Sequence, residues 1–177
     1  MAHSQQSDYL GSVKAKFPNF FNGGRVLEIG SLNINGTARQ FFNVDEYIGV
    51  DVGKGPGVDV VISGDEYDDA MPFDCVISCE CFEHNPKWQE TFVNMIRLCK
   101  QGGLVIFTCA TTGRPEHGTS QATPQDSPLT IAKGWNYYQN LTADDFTDTI
   151  DFSAFFSEWM FDNHPQACDL YFYGIKI

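Results

Sequence analysis

The chain has 177 residues, 42% hydrophobic and 14% aromatic, which is enough apolar material for one sizeable core and excludes a disordered chain. Its 23 acidic against 11 basic side chains leave a net charge of −12, a field that disfavours a nucleic-acid substrate. No apolar run reaches the ~18 residues of a membrane span, and the opening MAHSQQSDYLGSVKAKF lacks the apolar centre of a signal peptide. A soluble, cytoplasmic, single-domain protein over residues 1–177 is therefore expected.

In chain order, residues 1–24 read as an N-terminal helical segment, with Lys14 and Lys16 on its solvated surface. RVLEIG (25–30) reads as a buried strand, GTARQFF (36–42) as a short helix, EYIGVDV (46–52) as a second strand and VDVVIS (58–63) as a third. FDCVISCE (73–80) and GLVIFTCA (103–110) are the fourth and fifth strands. These runs are nearly continuous rather than alternating, the pattern of strands covered on both faces. Between the last two lies the clearest helix: Asn85 caps it, Pro86 suits its first turn, and Trp88, Phe92, Met95, Ile96 and Cys99 form one apolar face before Gly102 and Gly103 stop it. A strand, a helix and a second strand in that order predict a parallel crossover.

After Ala110 the chain turns polar and rich in Gly, Pro, Ser and Thr, and residues 111–140 are expected to form an active-site lid loop. LTADDFTDTI (141–150) predicts a short helix capped by Thr142. FSAFFSEWMF and DLYFYGIKI predict an antiparallel pair at the sheet edge. The fold class expected is α/β, a Rossmann-like, doubly wound, mostly parallel seven-stranded sheet with an antiparallel C-terminal hairpin.

The chain has six cysteines and no C-x-x-C pair; most lie in apolar runs and read as small core residues of a reduced protein. Cys79-x-Cys81 with His84 matches no usual structural zinc set, so no metal is expected.

In a doubly wound sheet ligands bind beyond the carboxyl ends of the strands. Those ends carry Glu28 and Gly30, Asp51, Gly64 and Asp65, and Ser78, Cys79 and Glu80. A glycine permits close backbone approach to a ligand, and an acidic residue ending the second strand suits a ribose diol. Both NAD and S-adenosylmethionine (SAM) carry such a ribose. The pyrophosphate of NAD needs a G-x-G-x-x-G loop free of nearby negative charge, and this chain has neither. Glu28 in the preceding strand is instead compatible with a cationic methionine moiety, so charge selects SAM.

The segments VLEIGSLNING, YIGVDVGKGPGVDVV, FDCVISCECFEH and GGLVIFTCA together resemble the successive motifs of class I SAM-dependent methyltransferases, closest to a bacterial and phage branch. The resemblance is strong over about residues 25–110, although SLNIN replaces the usual glycine-rich loop between Gly30 and Gly36. It implies that Glu28, Gly30 and Ser31 line the methionine side of SAM, that Asp51 takes the ribose hydroxyls with Val52 against the adenine, that Asp65 and Glu66 meet the adenine amino group, and that Cys79 and Glu80 lie beneath the sulfonium. It also implies methyl transfer to a small-molecule acceptor of sugar or nucleotide-sugar type. His84 and His117 are the candidate catalytic bases, since imidazole titrates in the useful range, and Tyr137 and Tyr138 are candidate walls of the substrate pocket. Two other classes remain open: a SAM- or nucleoside-binding module without chemistry, and a nucleotide-sugar or NAD enzyme on a similar sheet.

Overall fold

The computed structural model describes residues 4–177. Helix α1 (Ser4–Lys16) and a 3-10 turn over Pro18–Phe21 lead into β1 (Arg25–Ile29), β2 (Glu46–Asp51), β3 (Val60–Val61) and β4 (Phe73–Cys79). Then follow α2 (Trp88–Leu98), β5 (Cys99–Ala110), α3 (Pro128–Lys133), α4 (Ala143–Thr147), α5 (Phe152–Phe155), β6 (Phe156–His164) and β7 (Asp169–Lys176). The strands form one seven-stranded sheet in the order β3-β2-β1-β4-β5-β7-β6. All neighbours pair in parallel except β7, which runs antiparallel to both β5 and β6. This is the mostly parallel, doubly wound sheet with a C-terminal hairpin that the sequence pattern predicts.

The near-continuous apolar runs are explained by cover on both faces. On one face α1 packs Tyr9, Leu10 and Val13 against Val26, Cys75, Ile77, Leu104 and Ile106. On the other, α2 and α4 bury a cluster built from Phe82, Phe92, Phe107, Phe146, Phe152 and Phe172. In α2 the side chains of Trp88, Thr91, Phe92, Met95 and Ile96 are buried while Gln89, Glu90, Val93 and Arg97 face water, the 3.6-residue stripe of an amphipathic helix. Thr142 caps α4 as expected, in a capping box with Asp145.

Several boundaries differ from the sequence reading, for local reasons. Asn85 does not cap α2; its carboxamide oxygen accepts from the Lys87 amide and its nitrogen donates to Thr91, so the helix starts only at Trp88. Cys99 leaves the helix and opens β5, because it pairs with Phe73 of β4. Gly102 and Gly103 therefore lie inside a strand. The third strand shrinks to two residues, since Gly53 to Gly57 turn the chain tightly. Residues 152–155 form one helical turn before β6. Residues 111–140 are not structureless: they hold a 3-10 turn at Pro124–Asp126 and α3. Lys16 is exposed, as expected, and pairs at the surface with Glu158 at 2.6 Å.

Phe146 is fully buried, stacks on Phe107 at 4.4 Å and meets the rings of Phe82, Trp88 and Phe92. Truncating it leaves a void that this rigid cluster cannot fill. Phe146→Ala is expected to cost about 3–5 kcal/mol in a urea denaturation curve; a loss under about 1 kcal/mol would mean that the cluster collapses around the gap.

Candidate active site

β1 and β4 are neighbours, yet the chain leaves β1 towards β2 on one side and leaves β4 towards β5 on the other. Their carboxyl ends therefore part and open a cleft. There the structure has a cavity of about 260 Å³. Its floor is made by strand ends: Gly30 after β1, Asp51 at the end of β2, and Cys79, Glu80 and Cys81 around the end of β4. Leu32, Ile34 and Asn35 wall one side, and His84, Arg114, His117 and residues 126–130 the other.

Gly30 has φ +78°, and a Cβ there would lie 2.6 Å from the Cβ of Cys81. Only glycine permits this approach. Its amide and that of Ser31 donate to the Val50 carbonyl at 2.9 and 3.2 Å, which folds the loop over β2. Asp51 reaches back to the same loop: one carboxylate oxygen accepts from the Leu32 amide at 3.0 Å and the other from the Val52 amide at 2.7 Å. Burial raises its pKa, and these two bonds oppose the rise. Each oxygen keeps a further lone pair for a ligand hydroxyl.

Glu80 adopts φ +50°, a costly conformation for a residue with a side chain. Its carboxylate accepts from Thr108 at 2.8 Å and from Gln6 of α1 at 3.3 Å, so the N-terminal helix helps to hold it. Burial drives the thiols of Cys79 and Cys81 far up, so neither is a nucleophile at neutral pH.

The histidines form a compact group. His84, in a 3-10 turn after β4, is 3% exposed, and its ring meets that of His117 edge-on at 4.9 Å. Tyr138 stands behind both, 5.6 Å from His84 and 4.9 Å from His117. Burial, then the neighbouring His117, lowers His84 to about 3, and burial lowers His117 as well. Both rings are therefore neutral at physiological pH. Nδ1 of His117 lies 3.1 Å from the Pro115 carbonyl, which can only accept, so the proton sits on Nδ1 and Nε2 carries the free lone pair. Glu83, fully buried beside them, was not singled out by its sequence context. A ligand atom from each of Glu83, His84 and His117 lies within 4.8 Å of the others.

Of the residues expected from the sequence, Gly30, Asp51, Cys79, Glu80, His84 and His117 line this cavity. The others stand elsewhere. Glu28 is buried on the α1 side of β1, where it accepts from Tyr47 at 2.9 Å. Ser31 is wedged against Gly49 and Gly57. Val52 is half-buried beyond the cavity wall. Asp65 faces α2 and pairs with Lys87 at 2.7 Å, which holds it below its ordinary value despite burial; Glu66 is exposed near the same lysine. Tyr137 points to Gln139 at the surface, and Tyr138 backs the histidines without lining the cavity. Arg114 and residues 126–130 carry no signal beyond a polar loop, because their proximity depends on how that loop folds back; Leu32 lies in the SLNIN loop but is apolar and gives no chemical signal of its own.

A family model described as a methyltransferase domain matches residues 1–140. No curated protein matches this chain. Among solved structures, the 1,6-didemethyltoxoflavin N1-methyltransferase of Burkholderia thailandensis, with its substrate and S-adenosylhomocysteine bound, superposes with a TM-score of 0.62 at 14% identity, over 94% of this chain and 76% of that one. N-methyltransferase NodS from Bradyrhizobium japonicum WM9, with S-adenosylhomocysteine, gives 0.61 at 11% identity, over 97% and 86%. Phosphoethanolamine N-methyltransferase 2 of Haemonchus contortus, with SAM, gives 0.61 at 22% identity, over 90% of this chain but only 39% of that one. At these identities the likeness establishes the fold.

Burial pushes Glu28 from 4.5 to about 7, partly offset by the Tyr47 hydrogen bond. A carboxyl that holds its proton more tightly when folded stabilises the protein at low pH, and that contribution is lost as pH rises from about 4.5 through 7. His84 works in the opposite sense, but equally in wild type and variant. Glu28→Gln should therefore gain on the wild type by on the order of 3 kcal/mol between pH 5 and pH 8. Parallel stability curves across that range, from urea denaturation, would show that Glu28 is not held protonated.

Proposed function

The chain belongs to the methyltransferase-domain family, and on that premise we propose that it moves the methyl group of SAM to a small, hydroxyl-bearing acceptor of sugar or nucleotide-sugar type. The carrying observation is the pairing of two dissimilar ends in one cavity: Gly30 and Asp51 at one, His84 and His117 at the other. When bound, SAM supplies a methyl carbon made electrophilic by the sulfonium, and the bonding pair leaves with the sulfur.

The protein's own residues bind, align and shield. Gly30 lets the backbone approach the donor closely, and Asp51 offers carboxylate lone pairs to a ribose diol. The SLNIN loop stands in for the glycine-rich turn of the family, held over β2 by the Val50 carbonyl and by Asp51 itself. The histidine end supports a polar acceptor: two neutral imidazoles, with Arg114, Asp126 and Thr130 in the same wall. A hydroxyl facing His117 Nε2 can pass its proton to that lone pair as its oxygen bonds to the methyl carbon.

The cavity, about 260 Å³, lies below the ~300–1,000 Å³ of ordinary ligand sites. Residues 124–133 form the outer wall, and in this reading they move aside on entry and return to exclude water. The ends of the 111–140 segment are anchored, by Thr111 to the Cys168 carbonyl and by Leu141 to the Ala110 carbonyl. Any opening of the cleft is therefore left to the middle of the segment, as in a lid.

Titration calorimetry with S-adenosylhomocysteine tests the donor end. The wild type should bind, and Asp51→Ala should bind roughly ten- to hundredfold more weakly while remaining folded, since it loses charge-assisted hydrogen bonds of about 1.5–3 kcal/mol. No heat with the wild type would overturn the donor assignment. Release of S-adenosylhomocysteine from SAM across a panel of sugars and nucleotide sugars tests the acceptor; none released by any member would overturn that class.

A further inference from the structure

We propose that Glu83, His84 and His117 bind a first-row divalent transition-metal ion at the acceptor end of the cavity, a site that rests on the assignment of that end above. Glu83 is fully buried, and no side chain bonds to either of its carboxylate oxygens; the only polar groups turned to them are the backbone amides of Glu83 itself and Ala110, at the margin of hydrogen-bonding geometry. Burying an acid with so little to satisfy it is costly, and a cation beside it would supply the partner that the protein does not. Nδ1 of His84 is equally buried and equally without a partner. His84 and His117 also belong to the wall of the cavity, so an ion held by them faces the space where an acceptor enters.

The surroundings are arranged as they are around metal-binding histidines. His117 donates its Nδ1 proton to a backbone carbonyl, which turns the Nε2 lone pair outward, the usual device for orienting a ligand imidazole. The other nitrogen of His84 faces the Tyr137 backbone, which leaves Nδ1 as its bare atom. Beside Nδ1 the chain has Gly118, at φ +64°, where a Cβ would lie 2.6 Å from Cε1 and 3.0 Å from Nδ1 of His84. Only glycine lets the chain pass this close to the Nδ1 edge of His84; a side chain there would push the ring aside.

The donor set selects the ion. Two neutral imidazoles and one carboxylate suit zinc, iron, cobalt or nickel better than magnesium or calcium, which prefer oxygen throughout. Three protein ligands leave at least one open position, the pattern of a working rather than a structural site. Atoms sharing one ion at about 2.0–2.2 Å lie roughly 3–4 Å apart. The present spread of up to 4.8 Å closes with a small swing of His117, the least buried of the three. An ion there would coordinate a hydroxyl of the acceptor, fix its position and favour loss of its proton to solvent before the cleft closes; with the metal bound, His117 would be a ligand, and it would act as base only in the metal-free protein. The net charge of −12 draws cations to the protein in any case.

Untagged protein, stripped with a chelator and titrated with Co(II), tests this. One equivalent should bind, with the visible absorption of a nitrogen- and oxygen-ligated ion, and Mg(II) in excess should not displace it. Glu83→Gln and His117→Ala should each weaken Co(II) binding by at least about 100-fold, the upper end of what outer-shell partners alone contribute. Calorimetry with S-adenosylhomocysteine on the same samples reports folding and the donor site independently; both variants should bind it like the wild type. No Co(II) bound by the wild type, or equal affinity in wild type and His117→Ala, would overturn the metal site. Co(II) bound as described with no S-adenosylhomocysteine binding would uphold the metal site and sink the donor assignment.

Discussion

The cleft depends on one contact, the closeness of Gly30 to Cys81. Two parallel strands lie side by side, and the chain must leave their ends in opposite directions without collision. A bare Cα at Gly30, in the left-handed region, lets the two loops part at that point. The amides that follow can then reach the Val50 carbonyl, and Asp51 can grip the Leu32 amide. With a side chain at residue 30 the loop would be driven off β2, and the floor of the cavity would go with it. The left-handed conformation of Glu80 is the matching cost on the β4 side. Backbone strain is thus present at the β4 end of the site, in Glu80, while glycine avoids it at the β1 end.

The energetics divide along the strands. The middle of the sheet is held by apolar burial, above all by the stacked and edge-on rings of Phe92, Phe107, Phe146 and Phe172. Ionisable groups are buried towards the carboxyl ends instead: Glu28, Asp51, Glu83 and His84, each displaced by desolvation in the direction that favours its neutral form. Such groups lower stability unless something binds them. Three of them, Asp51, Glu83 and His84, lie at or beside the cavity at that end of the sheet.

The fold is also economical. A doubly wound sheet ordinarily takes a helix for each parallel crossover, but here α2 is the one long crossover helix, and β1 reaches β2 through a loop with a single 3-10 turn. α1 supplies cover that those missing helices would give, and its Gln6 reaches through to Thr108 at 2.6 Å and to Glu80. Residues 111–140 fold a short helix back over the cleft, so that Leu129 packs against Gly53.

Much of the architecture is local and therefore legible in the sequence. Strands covered on both faces must be continuously apolar, an amphipathic helix must repeat at 3.6 residues, and a capping box needs only Thr142 and Asp145 three apart. The seven strands, the parallel order implied by α2 and the antiparallel hairpin all follow from such patterns, as does the choice of Gly30 and Asp51 as strand-end residues. Boundaries near Asn85, Cys99 and residues 152–155 do not, because strand pairing and side-chain hydrogen bonds override propensity there. What only the tertiary structure decided is which polar residues meet. Asp65, a site candidate by its chemistry, meets Lys87 at the start of α2, because the turn after β3 lies against that helix. Glu83 and His117 lie far apart in the chain and carry no shared periodicity, yet the anchoring of the 111–140 segment at Ala110 brings His117 back onto the turn after β4. Periodicity reports the face a residue takes within its own element; contact between loops is set by sheet order and by where each loop is tied, which no local pattern encodes.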